Sequence, residues 1–260
     1  MASSQEDTFE GVAYQPQGDV YWNDGRELEL LHFIQSHPSL PEIRNNPGKV
    51  LSLIDEYGRT RRYLMNIGEY KSVTVTDLIK EKKPRVVVEL GGYVGYSAIA
   101  FAAALSEGGV YYSLESNPEF GHVINKLVEI AGLSDVVKVV VGPSSDSLKK
   151  LHADGTLTKI DLLFLDHYKP SYTDDLKICE ELGLVGVGSV LAADNVIKPG
   201  NPPYLEYVRS SVMNKVRNLA DTGLRGNPYL QYESKLVKGW EPTGVPDGIE
   251  ITECVGVMET

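Results

Sequence analysis

The chain has 260 residues, a formal net charge of −11 and a hydrophobic content of 42%. This length suits one large α/β domain, and the composition is that of an ordinary globular protein. The negative charge argues against nucleic acid and anionic membrane surfaces as partners. The apolar runs are shorter than the roughly 20 residues that a membrane span needs. With two cysteines, and an N-terminus that is polar and acidic where a secretory signal is apolar, the sequence predicts a cytoplasmic protein.

The first segment differs from the rest of the chain. Residues 1–24 show no apolar periodicity and mix glycine, proline, glutamine and acids, which predicts a flexible or loosely docked extension. The folded domain is expected to span residues 25–260. Its first part carries apolar residues at helical spacing from Leu28 to Ile34 and from Val50 to Tyr57, so two or three helices should precede the sheet.

After Pro84 the pattern changes to short apolar runs of strand length. These runs are VVVEL, VYYSLE, VVKVVV, IDLLFLD and SVLAAD, and the stretches between them are long enough for helices. Strands that alternate with helices predict a parallel sheet, whose strands place their carboxyl ends along one ligand-binding edge. In the tail, YLQYESKLV and IEITECVGV are separated by a Gly/Pro-rich connection, which predicts an antiparallel strand pair at one edge of the sheet.

A glycine-rich turn follows the first strand. The segment GGYVGYSA lets the backbone turn tightly and approach a ligand closely, although Tyr93 stands where the dinucleotide motif GxGxxG has its second glycine. The next strand ends at Glu115, the usual place for a carboxylate that binds ribose hydroxyls. Together these features favour an adenosine cofactor over a purely structural turn.

Three oxygen donors follow the fourth and fifth strands. Asp166 comes directly after the fourth strand, and Asp194 and Asn195 come directly after the fifth. Each residue alone could cap a helix, but three such residues at neighbouring strand ends suit Mg²⁺, which keeps coordination positions free for a bidentate substrate.

Lys169 and His167 share the segment that follows Asp166. Lys169 is three residues from Asp166, so its amine could reach the same cavity. Beside a cation and partly shielded from water, a lysine loses its proton more readily, which makes Lys169 a candidate general base. His167 has no second histidine at metal-ligand spacing, and we expect it to pack against the cofactor.

Three segments of the sequence, VVVELGGYVGYSA, LFLDHYKPSY and LAADNVIKPG, resemble the signature segments of the catechol O-methyltransferase family. The resemblance extends from about Gly25 to the C-terminus and includes MNIGE and GPSSD, which are similar to cofactor-contacting segments of that family. It implies a Rossmann-like, seven-stranded class I methyltransferase sheet that binds S-adenosylmethionine and Mg²⁺. The residues that it implies around S-adenosylmethionine are Met65, Ile67, Glu89, Gly91, Tyr93, Ser97, Glu115, Ser144, Asp166 and His167. It also implies Asp166, Asp194 and Asn195 as the metal ligands and Lys169 as the base.

The resemblance further implies the residues around a small aromatic substrate. Family members flank the catechol ring with aromatic residues, often tryptophan, and this chain has Tyr63 and Tyr168 at the matching places, with Pro199 at a third. In the segment YLQY, Gln231 occupies the position of a family glutamate that binds the non-reacting hydroxyl. Glu233 is the alternative, because it lies on the same face of a strand two residues later.

The expected reaction is methyl transfer to one hydroxyl of a catechol-like ring by a monomer or homodimer. Two other functions stay open at this point. One is a nicotinamide-dependent oxidoreductase, favoured by the glycine turn and Glu115. The other is a cofactor-binding protein of methyltransferase fold without catechol activity, motivated by Gln231.

Overall fold

The structure is a computed structural model that describes residues 8–219 and 223–259. The α-helices are α1 (Arg26–Gln35), α2 (Leu40–Ile43), α3 (Pro47–Thr60), α4 (Gly68–Lys82), α5 (Tyr96–Ala102), α6 (Pro118–Ala131), α7 (Ser144–Ala153), α8 (Tyr172–Glu181), α9 (Pro202–Arg209) and α10 (Val212–Arg217). The strands are β1 (Val86–Leu90), β2 (Val110–Glu115), β3 (Val137–Val141), β4 (Leu162–Leu165), β5 (Val190–Ala193), β6 (Leu230–Trp240) and β7 (Pro246–Val257).

The strands form one seven-stranded sheet in the order β3-β2-β1-β4-β5-β7-β6. Strands β1 to β5 run parallel to one another, whereas β7 runs antiparallel to both β5 and β6. The predicted sheet and its C-terminal antiparallel pair are therefore confirmed. The strand order reverses at β1, which lies between β2 and β4, and a crevice at such a switch point is where open α/β sheets bind ligands.

Apolar clusters cover both faces of the sheet. Val87 and Phe164 belong to the cluster that includes α3, α5 and α6, whereas Val88 and Leu165 belong to the cluster on the opposite face with α8 and α9. Because both faces are buried, β4 and β5 are apolar at every position rather than alternating. Among the described helices, none is long and apolar enough to cross a membrane.

The C-terminal hairpin is longer than the sequence pattern indicated. Pairing between β6 and β7 continues to Trp240 and Pro246, so the connection shrinks to residues 241–245. This short turn brings Glu241 to the ligand-binding edge of the sheet.

The described part of the N-terminal extension lies against the domain. We call residues 9–22 the N-terminal strap. Its Tyr14 is only 5% exposed, and the backbone of Gln15 donates a hydrogen bond to the carbonyl oxygen of Gly58 in α3 (2.8 Å). The contacts are made by single residues rather than by a helix or strand, which is why no periodic pattern in the sequence marked this segment.

Candidate active site

A cavity of about 790 Å³ opens at the carboxyl ends of the central strands. Most of the residues predicted from the sequence line it. They are Tyr63, Met65, Ile67, Gly91, Tyr93, Ser97, Glu115, Ser144, Asp166, His167, Tyr168, Lys169, Asp194, Asn195 and Pro199. Two predicted residues, Glu89 and Gln231, are not among the described residues of its wall.

Glu115 organises the glycine turn. Its Oε2 accepts hydrogen bonds from the backbone N–H groups of Gly92 (3.1 Å) and Tyr93 (2.9 Å), and its Oε1 accepts one from the backbone of Asn117 (2.8 Å). Gly91 has a left-handed φ of 91°, and a Cβ there would lie 2.7 Å from the carbonyl oxygen of Asp166. Glycine is therefore required where the ends of β1 and β4 meet.

Tyr93 explains why the turn departs from the dinucleotide motif. It adopts a left-handed φ of 48°, which is unfavourable for a residue with a side chain. Its hydroxyl donates to Glu27 (3.0 Å), and its ring packs edge-on against Phe120 with centroids 5.3 Å apart. These contacts hold a large side chain in the wall of the cavity where the motif would have glycine.

Glu89 lies beneath the turn rather than in the described cavity wall, so its predicted contact with the cofactor stays a prediction. Its side chain is fully buried on the α5 face of the sheet, where it accepts hydrogen bonds from Ser97 and Ser113 (2.6 Å to the latter). Burial raises the pKa of Glu89 to about 7. Glu89 reaches the cavity only through Ser97, because strand alternation directs its side chain toward α5.

His167 lines the cavity directly after Asp166. Its Nε2 lies 2.9 Å from a carboxylate oxygen of Asp175, and its ring stacks on Tyr172 at 4.9 Å. A carboxylate only accepts, so Nε2 carries the proton, and burial lowers the pKa of the imidazole and favours its neutral form. Nδ1 is left as a buried acceptor with no hydrogen-bond partner in the described part of the chain.

The three predicted metal donors lie next to one another. Leu165 pairs with Ala193 across the parallel strands β4 and β5, so Asp166 and Asp194 follow at neighbouring positions. Burial raises the pKa of Asp166 to about 6, and the charge of Asp194 acts in the same direction. Asn195 takes a left-handed φ of 59°, which turns its side chain back toward the same edge.

Lys169 forms an ion pair beside these donors. Its amine donates to Asp166 (3.0 Å) and to the hydroxyl of Tyr172 (2.8 Å). The Tyr172 hydroxyl in turn donates to the backbone oxygen of Asp194 (3.3 Å). Because Tyr172 is fully buried, it fixes the position of the lysine amine at the cavity wall.

Lys71 of α4 is a functional candidate that the sequence analysis missed. Its side chain is 1% exposed, and its amine contacts Asp194 (2.6 Å), Glu241 (2.5 Å) and Asp247 (2.7 Å). Burial opposes the charge on Lys71, but the three carboxylates outweigh it and raise the pKa of the amine. A helical lysine gives no local sequence signal for such contacts, which join residues more than 120 positions apart.

The acidic residues in this cluster outnumber the basic ones. Its members are the carboxylates of Asp166, Asp194, Glu241 and Asp247 and the amines of Lys71 and Lys169. Four carboxylates and two amines leave two negative charges when all are ionised, and a divalent cation would balance them. A group of three or more His, Cys, Asp or Glu side chains suited to a metal is absent from the described residues; the predicted donors are two carboxylates and one amide.

The predicted substrate-orienting residue, Gln231, lies outside the described cavity wall, whereas Glu241 of the hairpin turn lies in it. Gln231 and Glu233 lie on exposed positions of the edge strand β6, and neither is a described residue of the cavity wall. Glu241 does line the cavity, and it accepts a hydrogen bond from the side-chain amide of Asn195 (2.6 Å). Because the hairpin is longer than the sequence pattern indicated, the chain turns at the cavity ten residues after Gln231, at Glu241.

Aromatic residues enclose the outer part of the cavity. Tyr63 is 8% exposed and forms part of the inner wall, whereas Tyr168 is 73% exposed at the rim. Pro199 lies in the wall that follows β5. The structure thus places all three predicted aromatic-pocket residues at the cavity, and only Tyr63 is well shielded from solvent.

Comparison with known proteins agrees with this architecture. The sequence profile of a family described as O-methyltransferase matches residues 50–220. The catechol O-methyltransferase of Bos taurus is 35% identical over 227 residues, covering 87% of this chain and 79% of the bovine protein. Catechol O-methyltransferase B of Danio rerio is 39% identical over 186 residues, covering 72% of this chain and 69% of the fish protein.

Solved structures share the fold at lower sequence identity. The O-methyltransferase TomG from Streptomyces achromogenes, solved in complex with SAM, superposes with a TM-score of 0.56 at 20% identity and covers 89% of this chain and 96% of its own. An O-methyltransferase from Bacillus cereus in complex with SAH gives a TM-score of 0.53 at 20% identity, covering 91% of this chain and 93% of its own. The sheet, the cavity and these relatives together show that the chain belongs to the catechol O-methyltransferase-like O-methyltransferase family and is an S-adenosylmethionine-dependent O-methyltransferase.

Proposed function

We propose that the enzyme methylates one hydroxyl of a catechol-like aromatic substrate, with Mg²⁺ held by Asp166, Asp194 and Asn195 and with Lys169 as the general base. The observation that carries this proposal is the cluster of four carboxylates and two amines beside the ends of β4 and β5, which carries two negative charges when all six groups are ionised. The names of the relatives support the choice of a catechol-like acceptor.

The donor set fits a magnesium ion. Carboxylate and amide oxygens are the ligands that Mg²⁺ prefers, and it binds through few protein groups. Asn195 is oriented for this role, because its amide nitrogen donates to Glu241 and to Asp247 (3.0 Å), which leaves its Oδ1 for a cation.

The part of the cavity lined by Glu115, Ser144 and His167, which we call the cofactor half, fits S-adenosylmethionine. Glu115 lies at the end of β2, where a carboxylate can accept hydrogen bonds from ribose hydroxyls. The unpartnered Nδ1 of His167 offers an acceptor for an adenine amino group. When bound, Mg²⁺ would favour the ionised form of the acceptor hydroxyl, and S-adenosylmethionine would supply the methyl group.

Lys169 would take the proton from the acceptor hydroxyl. Its amine is within 3.0 Å of Asp166, so a hydroxyl held beside that carboxylate is within reach of Nζ. Tyr172 keeps the amine in place from the other side (2.8 Å). The remaining contribution of the protein is positional, because the two reactants must be held at near-attack distance.

Glu241 would orient the second, non-reacting hydroxyl. Burial raises the pKa of Glu241 against the attraction of Lys71, and its Oε1 is held by Lys71 and Asn195. In this role Glu241 would supply the carboxylate that is missing at Gln231, so Gln231 would not argue against catechol activity. Membership of the O-methyltransferase family replaces the nicotinamide-dependent alternative.

Turnover measured on a catechol with and without metal tests the proposal. We expect methyl transfer in Mg²⁺, loss of activity in excess chelator, and recovery when Mg²⁺ is restored. Asp166→Asn should lower turnover by at least about a thousandfold, because several kcal/mol of charge stabilisation are lost. The matched control is Asp174→Asn, an exposed change in α8 that should retain full activity. Full turnover in chelator, or in Asp166→Asn, would contradict the metal-dependent mechanism.

A further inference from the structure

The N-terminal strap is fastened next to the substrate-orienting turn. The backbone N–H of Tyr14 donates to the carbonyl oxygen of Pro242 (2.8 Å), which follows Glu241. The Tyr14 hydroxyl donates to the buried Asp55 (2.5 Å). Phe9 packs against Trp240 with ring centroids 5.7 Å apart. The strap therefore contacts the hairpin turn through both backbone and side chains.

The end of the strap enters the cavity. Tyr21 and Trp22 line it beside residues of the predicted site. The ring of Tyr21 packs edge-on against Tyr63 with centroids 6.2 Å apart, and Trp22 packs edge-on against Phe120 at 6.4 Å. Tyr63 lies on the acceptor side, close enough to Glu241 for its charge to raise the pKa of the phenol beyond the effect of burial. Phe120 belongs to the cofactor side, five residues after Glu115.

Arg26 links the strap to the backbone of Tyr63. Its side chain is almost fully buried, and its guanidinium donates to the carbonyl oxygens of Val20 (2.8 Å) and Tyr63 (2.6 Å). Asp24 accepts two further hydrogen bonds from the same group at 2.8 Å. Because one rigid, planar cation ties the backbone before Tyr21 to the backbone of Tyr63, the two rings keep a fixed separation.

We propose that the strap is part of the ligand-binding site, with Tyr21 as a specificity-determining residue for the aromatic acceptor and Trp22 as a cofactor-binding residue. Tyr21 and Tyr63 form an aromatic wall against which a planar acceptor ring packs. Trp22 covers the adenosine end of the cofactor beside Phe120. The role of Tyr21 rests on the proposed function, whereas that of Trp22 rests only on the binding of S-adenosylmethionine.

The test combines cofactor binding with acceptor kinetics. The Kd of S-adenosylhomocysteine is measured by isothermal titration without metal or acceptor, and the KM of a catechol is measured at saturating S-adenosylmethionine and Mg²⁺. Trp22→Ala should weaken S-adenosylhomocysteine binding by about tenfold, the equivalent of one lost aromatic contact. Tyr21→Ala should raise the KM of the catechol by about tenfold and leave that Kd unchanged. The control is Val20→Ala, whose 66% exposed side chain does not line the cavity.

Gly58→Ala tests the docking of the strap at a position outside the cavity wall. A Cβ at position 58 would lie 2.4 Å from the ring of Tyr14, so the strap must shift, while alanine favours the surrounding helix. This variant should raise both the Kd and the KM, with thermal unfolding confirming that it is folded.

The outcomes separate the strap from the proposed function. The proposal would be overturned if the Kd of Trp22→Ala and the KM of Tyr21→Ala both stayed within twofold of wild type. The strap would then only cover the domain. If wild type fails to methylate catechols, the proposed function is wrong, and the Kd of Trp22→Ala still decides whether the strap binds ligand.

Discussion

The two halves of the cavity are built in different ways. The cofactor half is organised by a local contact, in which Glu115 accepts hydrogen bonds from the backbone of Gly92 and Tyr93, 23 and 22 residues away. The acceptor half, lined by Lys169, Asp194 and Glu241, is assembled from distant parts of the chain. Lys71 contacts Asp194, Glu241 and Asp247, which are 123, 170 and 176 residues away in sequence.

The difference lies also in the forces involved. The cofactor half is held by a carboxylate that accepts backbone hydrogen bonds, a local arrangement that needs only a turn between a strand and a helix. The acceptor half is held by buried charges. Their desolvation free energy is offset only when oppositely charged partners from several helices and strands are all present. Substitutions in the cofactor half should therefore change cofactor affinity, whereas substitutions in the acceptor half should change turnover or stability.

Lys169→Ala should produce the largest effect. Loss of a general base lowers turnover by about 10² to 10⁴-fold, whereas the Kd of S-adenosylhomocysteine should stay within twofold. Steady-state turnover with Mg²⁺ and a catechol, together with calorimetry, measures both. Lys169→Arg is a more specific test of the base. Arginine keeps the ion pair with Asp166 but stays protonated, so it cannot accept the substrate proton. Recovery of turnover in that variant would show that Lys169 acts through its charge alone.

Lys71→Met should destabilise the fold by about 3 to 5 kcal/mol, because three carboxylates stay buried without their cation. Urea unfolding without metal measures this loss. The control is Lys80→Met in the same helix, whose lysine side chain is 61% exposed. An unfolding free energy within 1 kcal/mol of wild type would mean that the acceptor half does not depend on this long-range ion cluster.

Glu115→Ala should have the smallest effect, weakening S-adenosylmethionine binding by about 1 to 3 kcal/mol through the loss of charged hydrogen bonds. Turnover at saturating cofactor should change little, which is the converse of Lys169→Ala. Titration calorimetry gives the affinity, and Glu119→Ala serves as an exposed control in the adjoining helix. Unchanged affinity in Glu115→Ala would contradict its role at the ribose.

The local features of this protein were determined by the sequence alone. Strand-length apolar runs, the glycine turn and the acids directly after strands predicted the parallel sheet, and parallel strands necessarily bring Glu115, Asp166 and Asp194 to one edge. What only the tertiary structure decided is which distant side chains complete that edge. Glu241 lines the cavity and Gln231 does not, because hairpin length depends on pairing along the whole of β6 and β7. Lys71 and the strap leave no periodic signal, because isolated residues dock through contacts that exist only once the domain has folded.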